Sequence, residues 1–258
     1  MERAKILFVH EGAERELNVL NNISSVFFSG NNDVLIISVP AEANIVMLYR
    51  KMLEEDFQVD IVEILRESSK NAKEILKGYK RTDFSEVYLF FDFDEHSNNG
   101  PIDNIETIEK MLSIFDNETE NGKLFISYPM IEALRDSNLT KCRTCTDSCY
   151  VHRADFGQYK TNTNKVACLQ NMGKYNFETW SILSNVYLNR ICCLFNFSKF
   201  DFDSHFNLVS QYNIFQKELV VYSKNECCFI LSGIPNFLLT YSCVDGNNLY
   251  LKKFKSDL

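Results

Sequence analysis

Apolar runs alternate with amphipathic segments along the first half of the chain. Short runs rich in Ile, Val, Leu and Phe predict buried strands at residues 5–10, 34–39, 58–65, 86–92 and 123–128. Apolar residues at helical spacing predict helices between them, at residues 14–28, 42–55, 69–80 and 102–116. Strands that alternate with helices in this way are typical of an α/β fold with a mainly parallel sheet and helices on its faces.

The second half of the chain has a different pattern. Pro129 predicts the start of a helix, because proline is favoured at the first helical position. A polar stretch that carries cysteines follows, from Lys141 to Lys165, and longer apolar patterns then predict helices at residues 177–195, 204–222 and 229–241. We therefore expect two parts: an α/β domain over residues 1–128 and a mainly helical region with a Cys-rich loop over residues 129–258.

Composition places the chain among folded proteins, since 45% of its 258 residues are hydrophobic and 24% are charged. No charged leader precedes an apolar segment, and no apolar run reaches the roughly 18 residues of a membrane span, so we expect a cytoplasmic protein without a membrane partner. Nine cysteines, an odd number, favour reduced thiols over a secreted disulfide scaffold. The net charge of -8 argues against a protein that coats nucleic acid, but it leaves room for a local basic patch.

Carboxylates follow two of the predicted strands. Glu11 follows the strand at 5–10, and Asp92 and Asp94 follow the strand at 86–92. Ligands collect beyond the carboxyl ends of the strands in an open parallel sheet. Three carboxylates gathered there would repel one another unless a hard divalent cation, usually Mg²⁺, lay between them. The pattern predicts metal-dependent phosphate chemistry at this edge of the sheet.

These two motifs resemble the signatures of the toprim domain. Toprim domains carry Glu-Gly after the first strand of a Rossmann-like sheet and Asp-x-Asp after a later strand. Val-His-Glu-Gly at 9–12 and Phe-Asp-Phe-Asp at 91–94 match these signatures, and the resemblance covers roughly residues 4–130. His10 is a departure from the family pattern, because a small apolar residue is commoner at this position.

The toprim resemblance implies an endonuclease that requires Mg²⁺ or Mn²⁺. It makes Glu11 a catalytic residue, as metal ligand or general base, and makes Asp92 and Asp94 catalytic metal ligands. A further acid a few positions after the glutamate is common in the nuclease branches. Glu14 matches it, and Glu16 is the competing candidate.

A narrower resemblance concerns the stand-alone toprim nucleases of the overcoming-lysogenisation-defect and RloB types. The segments 127–134 and 231–239 are similar to stretches in the nuclease subunit of the PARIS anti-phage defence system. This resemblance implies a toxic effector that cuts RNA, such as tRNA, or DNA, and that an ATPase partner controls. The aromatic density of the helical half predicts partner or homodimer contacts. The alternative function is a non-catalytic, Rossmann-like subunit that binds a nucleotide or another protein.

Two further clusters carry chemistry. The first is a basic stripe at helical spacing, which either contacts a phosphate backbone or is a solvated helix face; it comprises Lys70, Lys73, Lys77 and Lys80. The second has thiol and imidazole groups at spacings that suit a structural Zn²⁺ ion, and it comprises Cys142, Cys145, Cys149 and His152. Against zinc stand the compressed spacing and the abundance of cysteine throughout the chain.

Overall fold

The computed structural model describes residues 3–12, 14–29, 33–93, 105–136, 149–163 and 169–244. The chain forms two compact units. Unit 1 comprises residues 1–126 with 172–174, and unit 2 comprises residues 127–171 with 175–258. The first unit ends close to the predicted division after residue 128.

Unit 1 is built on a sheet. Its strands, counted over the described residues, are β1 (Ala4–His10), β2 (Val34–Pro40), β3 (Glu86–Asp92), β4 (Asp116–Asn117) and β5 (Gly122–Ser127). They lie in the order β2-β1-β3-β5-β4. β1 is parallel to both of its neighbours, β2 and β3, whereas the short β4 is antiparallel to β5. The predicted α/β fold with a mainly parallel sheet is therefore confirmed.

Helices connect these strands. They are α1 (Arg15–Ile23), α2 (Ile45–Glu54), α3 (Ile61–Ser68), α4 (Lys70–Ile75) and α5 (Ile105–Ile114). A π-helical turn over Ser24–Phe28 continues α1, so the predicted helix at 14–28 changes type near its end. Every residue of 6–9 and 87–91 is buried, which is the pattern of strands that are covered on both faces.

The predicted strand at 58–65 is wrong, because most of this segment lies in α3. Its four buried residues are Ile61, Val62, Ile64 and Leu65, whose spacing places them on one helix face. Asp60 begins the helix by accepting hydrogen bonds from the backbone amides of Val62, at 2.8 Å, and Glu63, at 3.1 Å. A short apolar run fits a buried strand and a buried helix equally well, and here the N-cap decides.

Unit 2 is mainly helical in its described residues. Its helices are α6 (Phe156–Asn162), α7 (Phe177–Phe195), α8 (Phe202–His205), α9 (Gln211–Asn225) and α10 (Gly233–Val244). Two strands, β6 (Tyr150–His152) and β7 (Cys227–Phe229), form an antiparallel ladder. The predicted helix at 177–195 is α7, which Asn176 caps through the amide of Thr179 at 2.8 Å.

Three other segments of unit 2 differ from their predictions. The predicted helix at 204–222 is divided between the end of α8, a 3₁₀ turn at Phe206–Leu208 and α9, which begins at Gln211. The chain at 129–134 forms only a 3₁₀ turn, Ile131–Leu134, where a helix starting at Pro129 was expected. The predicted helix at 229–241 begins later, at Gly233, because Phe229 belongs to β7 and Leu231 bonds the backbone of Tyr128. None of the helices in the described ranges combines the length and the apolar character that a membrane span needs.

Candidate active site

Glu11 and Asp92 meet at the carboxyl-terminal edge of the parallel sheet. β1 and β3 are adjacent, with His10 opposite Phe90, so the residues that follow each strand lie side by side. A carboxylate oxygen of Glu11 (Oε2) accepts a long hydrogen bond of 3.4 Å from the backbone amide of Asp92. Both side chains are partly exposed. We call these two residues the carboxylate edge.

The third predicted acid, Asp94, lies outside the described residues. Within the described ranges, no three side chains of the types His, Cys, Asp and Glu lie close enough together to hold a metal ion. The described part of the edge therefore supplies two carboxylates.

His10 holds the turn that carries Glu11. Its side chain is fully buried, and Nδ1 donates a hydrogen bond of 2.5 Å to the carbonyl of Gly12. Burial lowers the pKa of His10 to about 4, so the imidazole is neutral at pH 7 with its proton on Nδ1. Nε2 has no hydrogen-bond partner among the described residues. His10, the residue that departs from the toprim pattern, therefore anchors the Glu11–Gly12 turn.

The two candidate accessory acids, Glu14 and Glu16, differ in their surroundings. Glu14 is exposed, and its side chain makes no capping hydrogen bond at the start of α1. The Glu16 carboxylate lies against Gly12, where a Cβ atom would be 2.6 Å from its Oε2 atom. Glycine at position 12 leaves the room for this close approach. The first turn of a helix also favours an acidic side chain such as Glu16.

The predicted lysine stripe does not lie on one helix. α4 ends at Ile75, so Lys70 and Lys73 belong to it whereas Lys77 and Lys80 follow it. The chain turns away at Gly78, whose φ of +84° suits glycine. All four lysines are exposed, which fits a phosphate track and a solvated surface equally well.

Of the four predicted zinc ligands, the structure describes only Cys149 and His152. Cys142 and Cys145 lie outside the described residues. Cys149 is buried, at 1% exposure, whereas His152 is exposed. Cys149 lies in a 3₁₀ turn directly before β6, and His152 is the last residue of β6. Nδ1 of His152 instead lies 2.9 Å from Sγ of Cys227, which no local spacing in the sequence could have indicated.

Comparison of the chain with family models, with curated proteins and with solved structures finds no match. The functional interpretation therefore depends on the two motifs, on their places in the sheet and on the contacts of the site.

Proposed function

We propose that this protein is a Mg²⁺-dependent endonuclease of the toprim type, with Glu11 and Asp92 in its active site and Asp94 as the next acid along the chain. One observation carries the proposal: the Glu11 carboxylate, at the end of one strand, lies 3.4 Å from the backbone nitrogen of Asp92, at the end of the neighbouring parallel strand. This edge is where α/β proteins gather their ligands.

The donor set at the carboxylate edge fits Mg²⁺. Mg²⁺ prefers oxygen ligands and commonly takes one or two carboxylates from the protein, with water and substrate phosphates completing its shell. Glu11 and Asp92 supply two such carboxylates, and their partial exposure leaves them accessible to a phosphate group. When bound, Mg²⁺ (or Mn²⁺) would supply charge stabilisation for the phosphodiester under attack.

The protein's own groups position Glu11 from both sides. The carbonyl of Glu11 accepts a hydrogen bond of 3.2 Å from the amide of Glu42, beyond the end of β2. His10 fixes the carbonyl of Gly12, one residue after Glu11. These contacts hold the Glu11 backbone at the sheet edge, so the carboxylate is oriented before a substrate arrives.

The proposed biological role is a toxic effector of anti-phage defence that an ATPase partner controls. Two segments carry the resemblance to the PARIS nuclease subunit, 127–134 and 231–239, and they are neighbours in unit 2. Tyr128 and Leu231 exchange backbone hydrogen bonds of 2.7 and 3.0 Å, and the hydroxyl of Ser127 accepts one of 3.1 Å from the amide of Gly233. A paired segment is better support for the resemblance than two isolated stretches.

The test is cleavage of a panel of RNA and DNA substrates by the purified protein, with Mg²⁺ or with EDTA. We expect cleavage only with Mg²⁺, and we expect Glu11→Gln and Asp92→Asn each to lower its rate by about 100-fold or more. Glu67→Gln, which neutralises an exposed acid at the end of α3, is the matched control and should cleave at the rate of the unaltered protein.

Glu16→Gln and Glu14→Gln compare the two accessory acids, and we expect the larger loss from Glu16→Gln. If the unaltered protein cleaves nothing in the panel, or if Glu11→Gln cleaves normally, the non-catalytic alternative is favoured. Binding of nucleotides would then be the next measurement.

A further inference from the structure

An imidazole and a thiol face each other across the β6–β7 ladder. His152 and Cys227 are directly paired in the antiparallel register, and Nδ1 of His152 lies 2.9 Å from Sγ of Cys227. Tyr150 and Phe229, two positions along each strand, also touch on this face, with ring centroids 4.4 Å apart. The ladder itself therefore aligns the two side chains, which we call the thiol–imidazole pair.

The surroundings of this pair suit a cation. The Cys227 thiol is 3.1 Å from the carbonyl oxygen of Asn225, which is a further potential ligand. The carboxylate of Glu226 interacts with Cys227, and its negative charge favours a bound cation.

We infer that His152 and Cys227 together bind a borderline-soft divalent cation, for which Zn²⁺ is the natural probe. Thiolate and imidazole ligands select Zn²⁺ over Mg²⁺, which prefers oxygen. On binding, the Cys227 thiol releases its proton to solvent, and the sulfur and Nδ1 of His152 each donate an electron pair to the metal. The inference is independent of the proposed nuclease activity, because none of its residues belongs to the carboxylate edge.

The geometry needs only a small adjustment. Two ligands at about 2.3 and 2.0 Å from a tetrahedral Zn²⁺ ion lie about 3.5 Å apart, so the pair must open by about 0.6 Å. His152 is exposed, and rotation of its side chain can provide this movement. Cys227 is only 4% exposed, so the metal approaches from the imidazole side.

The site also has a structural consequence. β6 and β7 contain three residues each, and a ladder of this length is only marginally stable by itself. A cation held by one residue from each strand would stabilise the pairing by binding the folded state alone. In this arrangement Cys227 takes the place that the sequence pattern assigned to Cys149, which is buried.

The test is metal binding by the full chain, reduced and freed of metal with EDTA. Co²⁺ reports a bound thiolate through a charge-transfer band in the near ultraviolet, and competition with a chromogenic chelator measures the affinity for Zn²⁺. We expect Cys227→Ser to lower the Co²⁺ band, and both Cys227→Ser and His152→Asn to weaken Zn²⁺ binding at least about tenfold. Cys192→Ser alters a half-exposed thiol on α7 and should bind both metals normally.

Two results would overturn the inference. One is the absence of a thiolate band in the unaltered protein. The other is unchanged Zn²⁺ affinity in Cys227→Ser, in particular if a Cys142→Ser/Cys145→Ser double variant loses binding. His152→Asn alters an exposed side chain, so it gives a valid answer even if Cys227→Ser fails to fold, and a far-ultraviolet circular dichroism spectrum checks folding.

Discussion

The carboxylate edge of unit 1 and the thiol–imidazole pair of unit 2 are both assembled by the pairing of two strands, but they offer different ligand atoms. At the edge, parallel strands bring together Glu11 and Asp92, which are 81 residues apart. In the pair, antiparallel strands bring together His152 and Cys227, which are 75 residues apart. The first set offers hard oxygen ligands and the second offers sulfur and nitrogen. We propose the first set as a site for Mg²⁺ and the second as a site for Zn²⁺, and these two metal ions prefer different ligand atoms.

The two histidines sharpen this comparison. His10 is fully buried, and its Nδ1 donates a hydrogen bond to the carbonyl of Gly12. His152 is exposed, and its Nδ1 faces a thiol. Burial and a carbonyl partner make His10 an anchor for the backbone, whereas the exposed His152 beside a thiol is the residue that we propose as a metal ligand.

The largest expected effect is that a variant of either site impairs that site and leaves the other unchanged. Glu11→Gln should lower Mg²⁺-dependent cleavage by about 100-fold or more while leaving Zn²⁺ affinity unchanged. Cys227→Ser should weaken Zn²⁺ binding at least about tenfold and leave the cleavage rate in Mg²⁺ unchanged. Both variants are measured in both assays, with nucleic-acid cleavage in one and chelator competition in the other.

A single variant that impairs both activities would contradict the separation of the sites. Glu67→Gln and Cys192→Ser are the matched controls, and neither should change either measurement.

The next effect concerns the pH dependence of stability that His10 imposes. Its pKa is about 4 in the folded protein and 6.5 ordinarily, so between these values the unfolded chain takes up a proton that the folded chain does not. The free energy of unfolding should therefore fall as the pH drops through this window, by about 3 kcal/mol in total, with no loss from His10 above pH 6.5. His10→Asn keeps an amide donor for the Gly12 carbonyl and does not titrate.

Urea unfolding at pH 7 and at pH 4, in EDTA, measures this contribution. The fall in stability should be smaller in His10→Asn than in the unaltered protein by that amount. Equal falls in the two proteins would mean that the imidazole is accessible to solvent protons in the folded state. His10→Leu removes both the titration and the donor, and a lower stability than His10→Asn at pH 7 would isolate the hydrogen bond to Gly12.

The smallest effect tests whether either site depends on global stability. Asp60→Ala removes the N-cap of α3 and should lower the free energy of unfolding by about 1 kcal/mol. Asp60→Asn retains a capping oxygen and should cost less. Neither variant should alter Zn²⁺ affinity or the cleavage rate per folded molecule. A change in either function would show that α3 supports a site as well as the fold.

Much of unit 1 could be predicted from apolar runs, because β1 and β3 are buried continuously and few other structures produce that pattern. The local spacing of residues gave a wrong prediction in two places, the strand at 58–65 and the lysine stripe at 70–80. The run at 58–65 lacks the length that separates a strand from a helix, and Asp60 decided for the helix. The lysines at 70–80 share a helical period, but α4 ends at Ile75 and the period has no meaning beyond it.

The candidate sites divide in the same way. The motifs at Glu11 and Asp92 were visible because each follows its own strand, and the adjacency of β1 and β3 then brought them together. Cys227 carried no signal, since its partner is fixed by the register of two three-residue strands. The spacing of Glu14 and Glu16 gave no sign that the Glu16 carboxylate lies against Gly12.

By itself, the order of residues determined the α/β class and which acids end the strands, because burial and hydrogen bonding act over a few neighbouring positions. Tertiary structure decided which strands are adjacent, and therefore that Glu11 faces Asp92 and that His152 faces Cys227. Such pairings depend on contacts between distant segments, whose free energies the local pattern does not contain.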